Sequence, residues 1–211
     1  MSQEWNEDTA FTETWNAITH GGGFLLSLPA VLAMVWLADK KHPELTWVCL
    51  AYGASLSAVY FFSTLSHAVR NSEMRARMRA WDQGVIFLLI AGTYAPFIYG
   101  YTSGWERIAT MFGVWILAGL GFYSKVIAKH RINTMVPTFY LLLGWGPAMV
   151  LFRHVPWACF GSMAVGGLLY TIGTIFLHHD HRSWFYHPIW HVMVILASAC
   201  HYFAILFFIV I

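Results

Sequence analysis

Charge is what this sequence has least of. Only 10% of its residues are Asp, Glu, Lys or Arg, against roughly a quarter in soluble domains. A chain so poor in charge cannot cover a globular surface in water. Cysteine is scarce as well: Cys49, Cys159 and Cys200 fall inside apolar runs and form no CxxC pair. They exclude a disulfide framework and read as small buried hydrophobes. Residues 1–19 contain no Lys or Arg, so they lack the basic region of a cleavable signal peptide, and the N-terminus is expected to be retained. No lysine follows Lys129, which excludes a Schiff-base chromophore in the last apolar run. The formal net charge of +2, spread over loops without one basic patch, excludes nucleic acid as a partner.

What is present is apolar surface. Hydrophobic residues make up 58% and aromatic residues 18% of the chain. They are gathered into runs near the length of about 20 residues that crosses a bilayer core of roughly 30 Å. The runs cover 21–38, 45–66, 83–101, 108–124, 132–152 and 155–177, and a last one begins at His187. The expected fold is therefore all-α, a polytopic membrane protein built as a seven-helix transmembrane bundle over 21–211, with 1–20 as a cytoplasmic or interfacial segment. Connections are short, leaving no linker and no second soluble domain, and no internal repeat is visible. Trp47, Trp105 and Trp157 stand at run ends, where interfacial anchors belong.

Orientation is read from the basic residues. With the N-terminus cytoplasmic, the inner segments hold Arg70, Arg75, Arg77, Arg79, Lys125, Lys129, Arg131 and Arg182, and the outer ones Lys40, Lys41, Arg107 and Arg153. The inner excess predicts N-terminus inside and C-terminus outside, although the flanks of the first run dissent. Arg75, Arg77 and Arg79 read as a basic loop before the third run, a topology signal more than a head-group site.

The polar residues that remain are few, and seven spans bring several of them to one side. His187 and His191 stand at i and i+4, on one face at the start of the last helix, with Pro188 read as its first residue. Ser63 and His67 repeat that spacing at the end of the second run, Asp82 precedes the third, and Glu13, Asn16 and His20 form a stripe at i, i+3 and i+7 leading into the first. That stripe reads equally as an interfacial helix turning its polar side to water. Three imidazoles with an open fourth position are the ligand set of catalytic zinc. In that arrangement Asp82 serves as base or supporting group and Ser63 as a donor. The alternative is that each histidine only caps or bridges helices, and imidazole also suits other divalent metals. His201, about 15 Å deeper at helical rise, is expected to be buried and hydrogen-bonded, outside the metal shell. His178, His179, Asp180 and His181 read as a solvated loop. Gly92, Thr93 and Pro96, and Gly144, Gly146 and Pro147, read as close packing and kinks.

These residues carry a resemblance. The stretches Glu13-Thr14-Trp15-Asn16-Ala17-Ile18-Thr19-His20-Gly21, Ser63-Thr64-Leu65-Ser66-His67, Asp82 with Ile90-Ala91-Gly92-Thr93-Tyr94-Ala95-Pro96-Phe97, Gly167-Leu168-Leu169-Tyr170-Thr171-Ile172-Gly173 and His187 through His191 to His201 resemble the hemolysin III family. More distantly they resemble the progestin and adipoQ receptors and alkaline ceramidases. Nearly the whole chain takes part; Gln83 and Gly84 depart from the histidine and small polar residue common after the aspartate. The resemblance implies seven helices with the N-terminus inside. It also implies a Zn²⁺ ion near the cytoplasmic face held by His67, His187 and His191, with Ser63 and Asp82 close to its water.

Three functions follow as expectations. The first is a zinc-dependent hydrolase of a lipid-like amide or ester in a bacterial cytoplasmic (inner) membrane, with membrane lipids as its surroundings. The second is a regulator or sensor of membrane homeostasis with structural zinc. The third is a hemolysin-type lytic or channel activity, which has the least support because the runs show no repeated charged lining. Oligomeric state has no signature in the sequence.

Overall fold

The computed structural model describes residues 7–128 and 136–211. Among them the chain is all α-helical: α1 (Glu7–Lys41), α2 (Thr46–Ala68), α3 (Ser72–Tyr101), α4 (Gly104–Val126), α5 (Val136–Leu151), α6 (Trp157–His178) and α7 (Tyr186–Ile205). A 3-10 turn, Pro43–Leu45, joins α1 to α2, a second, Asp180–Arg182, precedes α7, and a π-turn, Leu206–Val210, extends α7. Six helices are long and apolar enough to cross a membrane, and α5 is a shorter apolar helix of 16 residues. The expected fifth run, 132–152, lies partly outside the described residues.

Many large apolar side chains point outward, among them Leu25, Leu26, Leu32, Phe112, Leu120, Met149 and Phe207. In water such a surface would aggregate; in a bilayer it is the solvated face. The molecule is thus an integral membrane protein. Trp47, Trp105 and Trp157 stand exposed near helix ends, as interfacial anchors do.

One boundary differs from the expected one. Arg75, Arg77 and Arg79 do not form a loop: they lie in the first turns of α3. Asn71 caps that helix by accepting from the Met74 amide at 2.9 Å, and Arg and Met are strong helix formers. Asp82 is therefore well inside a helix, fixed by it. As the stripe of Glu13, Asn16 and His20 implies, the helix that carries it leads into the first apolar run: α1 is continuous across residues 20 and 21, roughly 50 Å at helical rise.

α3 is the most enclosed helix, with 67% of its apolar window buried. It packs on α2 so closely that a Cβ at Gly92 would stand 3.2 Å from the Ala51 carbonyl oxygen and overlap Ser55. This is the small-residue contact membrane helices use. Gly144 and Gly146 do not repeat it, since a Cβ at either meets nothing within 4 Å. Instead α5 is tied to α3 by hydroxyls: Tyr140 donates to the Gln83 carbonyl at 2.7 Å, and Tyr94 donates to the Gly144 carbonyl. Packing of α1 on α2 and on α7, and of α6 on α7, brings the starts of α1, α3 and α7 to the end of α2.

Candidate metal centre

Two helices deliver three imidazoles to one place. His67 comes from the last turn of α2, and His187 and His191 from the first turns of α7. One ring nitrogen of each lies within 4.8 Å of the others. Ring centroids are 5.0 Å apart for His67 and His187, 5.1 Å for His67 and His191, and 4.7 Å for His187 and His191. Helix α7 begins two residues earlier than its proline suggested. Tyr186 is its first residue and Pro188 its third, still within the turn whose amides lack helical partners.

The hydrogen bonds decide which nitrogens face the centre. His67 Nδ1 donates to Glu13 Oε2 at 2.5 Å, and His187 Nδ1 to Asp180 Oδ2 at 3.2 Å. Thr19 Oγ1 lies 3.0 Å from His191 Nδ1. Its single proton goes to the carbonyls of Trp15 and Asn16, at 3.0 and 2.9 Å, so its oxygen accepts from His191. With all three Nδ1 atoms protonated, each Nε2 keeps its lone pair. His67 Nε2 is buried without a partner among the described residues. Such an orphan acceptor is costly in a dry interior. Three lone pairs, each backed by an oxygen on the far side of its ring, are the donor set for a divalent metal with its supporting groups in place. These residues fit such an ion.

The stripe on α1 faces this centre. Glu13, Asn16 and His20 are all buried, while Phe11, Trp15 and Ile18 between them are exposed, the reverse of an interfacial helix that turns its polar side to water. Glu13 Oε1 also accepts from Arg79 Nη2 at 2.9 Å. One carboxylate thereby links α1, α2 and α3. His20 stacks on His191 with centroids 3.7 Å apart and planes 18° from parallel, and both its nitrogens are buried without partners among the described residues, as is Asn16 Oδ1. Ser66 donates to Asp82 Oδ2 at 3.3 Å, and Ser63 is buried beside them.

A cavity of about 580 Å³ opens from this end. Its polar mouth includes Ser63, Asp82, His20, His187 and Asp180. Deeper in the membrane it is lined by Thr93, Tyr94, Trp145, Met163, Tyr170 and His201. His201 is not a fourth member of the cluster, as its depth on α7 predicts. It also lacks the expected hydrogen bond: its Nδ1 is buried without a partner among the described residues.

Four residues around the centre escaped the sequence reading. Thr19 sits inside the α1 motif but off the polar stripe, and Ser66 was passed over for Ser63. Arg79 was counted only as a topology signal. Asp180 is the clearest case, because the loop read as solvated places this carboxylate on His187. That hydrogen bond is the main reason its pKa lies below the ordinary value.

The chain matches the family described as Haemolysin-III related over residues 9–202. It is 32% identical to Hemolysin-3 of Bacillus cereus, over 99% of this chain and 98% of that one. It is 34% identical to the Hemolysin-3 homolog of Bacillus subtilis (strain 168), over 93% of each. Over 93% of this chain and 84% of the relative, it is 29% identical to the human monocyte to macrophage differentiation factor.

Proposed function

Because the chain belongs to the haemolysin-III-related family, a family of membrane proteins on the evidence of this fold, we propose that it is a metal-dependent hydrolase acting on a lipid-like amide or ester. The observation that carries the reading is three Nε2 lone pairs, each oriented through its own Nδ1, at the polar mouth of an apolar cavity. Zn²⁺ is the proposed ion, held by His67, His187 and His191. When bound it supplies Lewis-acid polarisation of a carbonyl and acidifies water.

The chain's own residues do the rest. Apolar walls at Ile86, Leu89, Met163 and Trp190 hold a hydrocarbon chain and exclude water from it. Ser63, at the mouth, is placed to donate to the carbonyl oxygen of a bound amide or ester. Asp82, steadied by Ser66, takes the proton released as water attacks and returns it to the leaving amine or alcohol. Glu13, Asp180 and Thr19 keep the three imidazoles in the tautomer this needs, while Asn16 and His20 close the α1 side. The basic-residue distribution supports placing this mouth at the cytoplasmic face of a bacterial inner membrane, N-terminus inside.

The test is turnover of long-chain amides and esters by purified protein carrying about one metal per chain. His191→Ala is the control. Release of fatty acid that disappears in the variant is the expected result; metal-loaded protein with no turnover across both classes would sink the hydrolase. One observation favours a second reading, in which the metal is structural and the protein regulates membrane homeostasis: the cluster and its supports tie α1, α2, α3 and α7 together. That reading predicts a lowered melting temperature on chelation. The lytic activity named in its relatives rests on their names alone, and conductance across planar bilayers is the measurement that would revive it.

A further inference from the structure

The cavity wall below the histidine cluster holds a polar group with nothing to do. Tyr170 and Ser198 satisfy one another, with their oxygens 2.8 Å apart. Thr171 accepts from Trp145 Nε1 at 3.1 Å and donates to the Gly167 carbonyl at 2.8 Å. Thr93 donates to the Leu89 carbonyl and Thr174 to the Thr171 carbonyl, each at 2.7 Å. Unlike these neighbours, His201 has no hydrogen-bond partner among the described residues, and its Nδ1 is buried. Its ring lies edge-on to Tyr170, with centroids 5.8 Å apart, and lines the cavity.

Gly166 on α6 makes the room for that ring. A Cβ there would overlap the imidazole at Cε1 and Nδ1, so Nδ1 is seated against bare backbone, and Nε2 is the ring nitrogen left to meet what enters the cavity. A leucine or phenylalanine would fill the same space without leaving a polar atom unsatisfied, which costs free energy in an apolar interior. The arrangement makes chemical sense if something entering the cavity completes it. A neutral imidazole offers one donor and one acceptor. The group that answers it in either tautomer is a hydroxyl, which can donate or accept; a ketone or ester carbonyl only accepts.

We propose that His201 forms a second polar subsite, which takes a hydroxyl carried along the hydrocarbon chain of a lipid whose head group sits at the histidine cluster. The spacing from His191, ten residues along one helix, places that hydroxyl about 15 Å from the head-group end. The inference rests on reading the cavity as a lipid chamber, and it adds a preference for chain-hydroxylated molecules over plain ones.

The test uses glycerol monoalkyl ethers, which carry no amide or ester to be hydrolysed. A series bears one hydroxyl at successive chain positions, and the parent ether bears none. Binding to the full-length, metal-loaded protein in detergent is measured by native mass spectrometry. One position in the series is expected to bind roughly fivefold to tenfold more tightly than the parent ether, the gain of one well-made buried hydrogen bond. In His201→Phe that preference, taken as the ratio to the parent ether in the same variant, disappears. A flat series in the unaltered protein, meaning the ring is satisfied by water only, overturns the subsite. So does a preference that survives His201→Phe. Should that variant not fold, His201→Leu is used, and then Gly166→Ala, which displaces the ring from the α6 side. Ester turnover is assayed separately. Preference without turnover leaves the subsite standing and removes the hydrolase; turnover with a flat series does the opposite.

Discussion

Two carboxylates hold two histidines of the same cluster, and their surroundings differ. Glu13 and His67 pair at 2.5 Å with side chains 10% and 6% exposed, whereas Asp180 and His187 pair at 3.2 Å with 43% and 22% exposed. Glu13 sits on a helix and shares its second oxygen with Arg79. Asp180 sits on a single 3-10 turn between α6 and α7. A buried charge acts in a low dielectric and is screened little by salt; a half-exposed one competes with water and ions. The comparison teaches that the cluster has a rigid side, where α1, α2 and α3 meet, and a soft side at the loop. If the cavity admits a ligand at its mouth, the soft side is where it yields.

The largest effect tests the premise of that comparison. His67→Ala, His187→Ala and His191→Ala are each expected to reduce the metal content of purified protein, measured by elemental analysis, from about one per chain to near zero. Equal losses from both sides of the cluster mean that the three rings hold one ion. Full loading in any of the three breaks the metal reading and leaves helix-bridging histidines in its place.

Next in size come the two carboxylates themselves. Glu13→Gln is expected to weaken metal affinity towards the upper end of the 10-fold to 100-fold range typical of lost supporting groups, and Asp180→Asn towards the lower end. Metal titration against a competing chelator reads both. Adding salt sharpens the contrast: the unaltered protein should lose the Asp180 contribution first, so the two variants differ less at low salt than at high. Equal losses at every ionic strength would mean that burial does not set the strength of support.

Much of the architecture was legible because a bilayer imposes few alternatives. Apolar runs of crossing length become helices, since every backbone amide must be satisfied within the segment. The i and i+4 histidines of α7, and Ser63 and His67 on α2, could be placed on one side from span parity alone. What could not be read was anything set by side-chain direction. The α1 stripe has the same period whether it faces water or protein, and only the packed structure shows Glu13 reaching His67. The basic run of α3 looked like a loop because hydropathy marks where lipid begins, not where a helix does. Asp180 was hidden for a related reason: loop composition signals solvation, and nothing in it reveals that one carboxylate turns back onto a ring seven residues later.

The smallest effect isolates the one neutral support. Thr19 holds His191 through a hydroxyl whose proton is committed to the α1 carbonyls, so it contributes an acceptor without a charge. Thr19→Val keeps the shape and removes that acceptor, leaving the Nδ1 proton of His191 unpaired against α1. A neutral hydrogen bond is worth about 1 kcal/mol net, so the expected loss in metal affinity is only a few-fold, below either carboxylate variant and insensitive to salt. Thr19→Ser, which restores the oxygen without the methyl group, should recover most of it. The same titration separates two accounts of what orients His191. A loss as large as that of Glu13→Gln would mean that the hydroxyl fixes the tautomer. No loss at all would mean that the stacked ring of His20, 3.7 Å away, already holds His191 in place and the hydroxyl merely fills space.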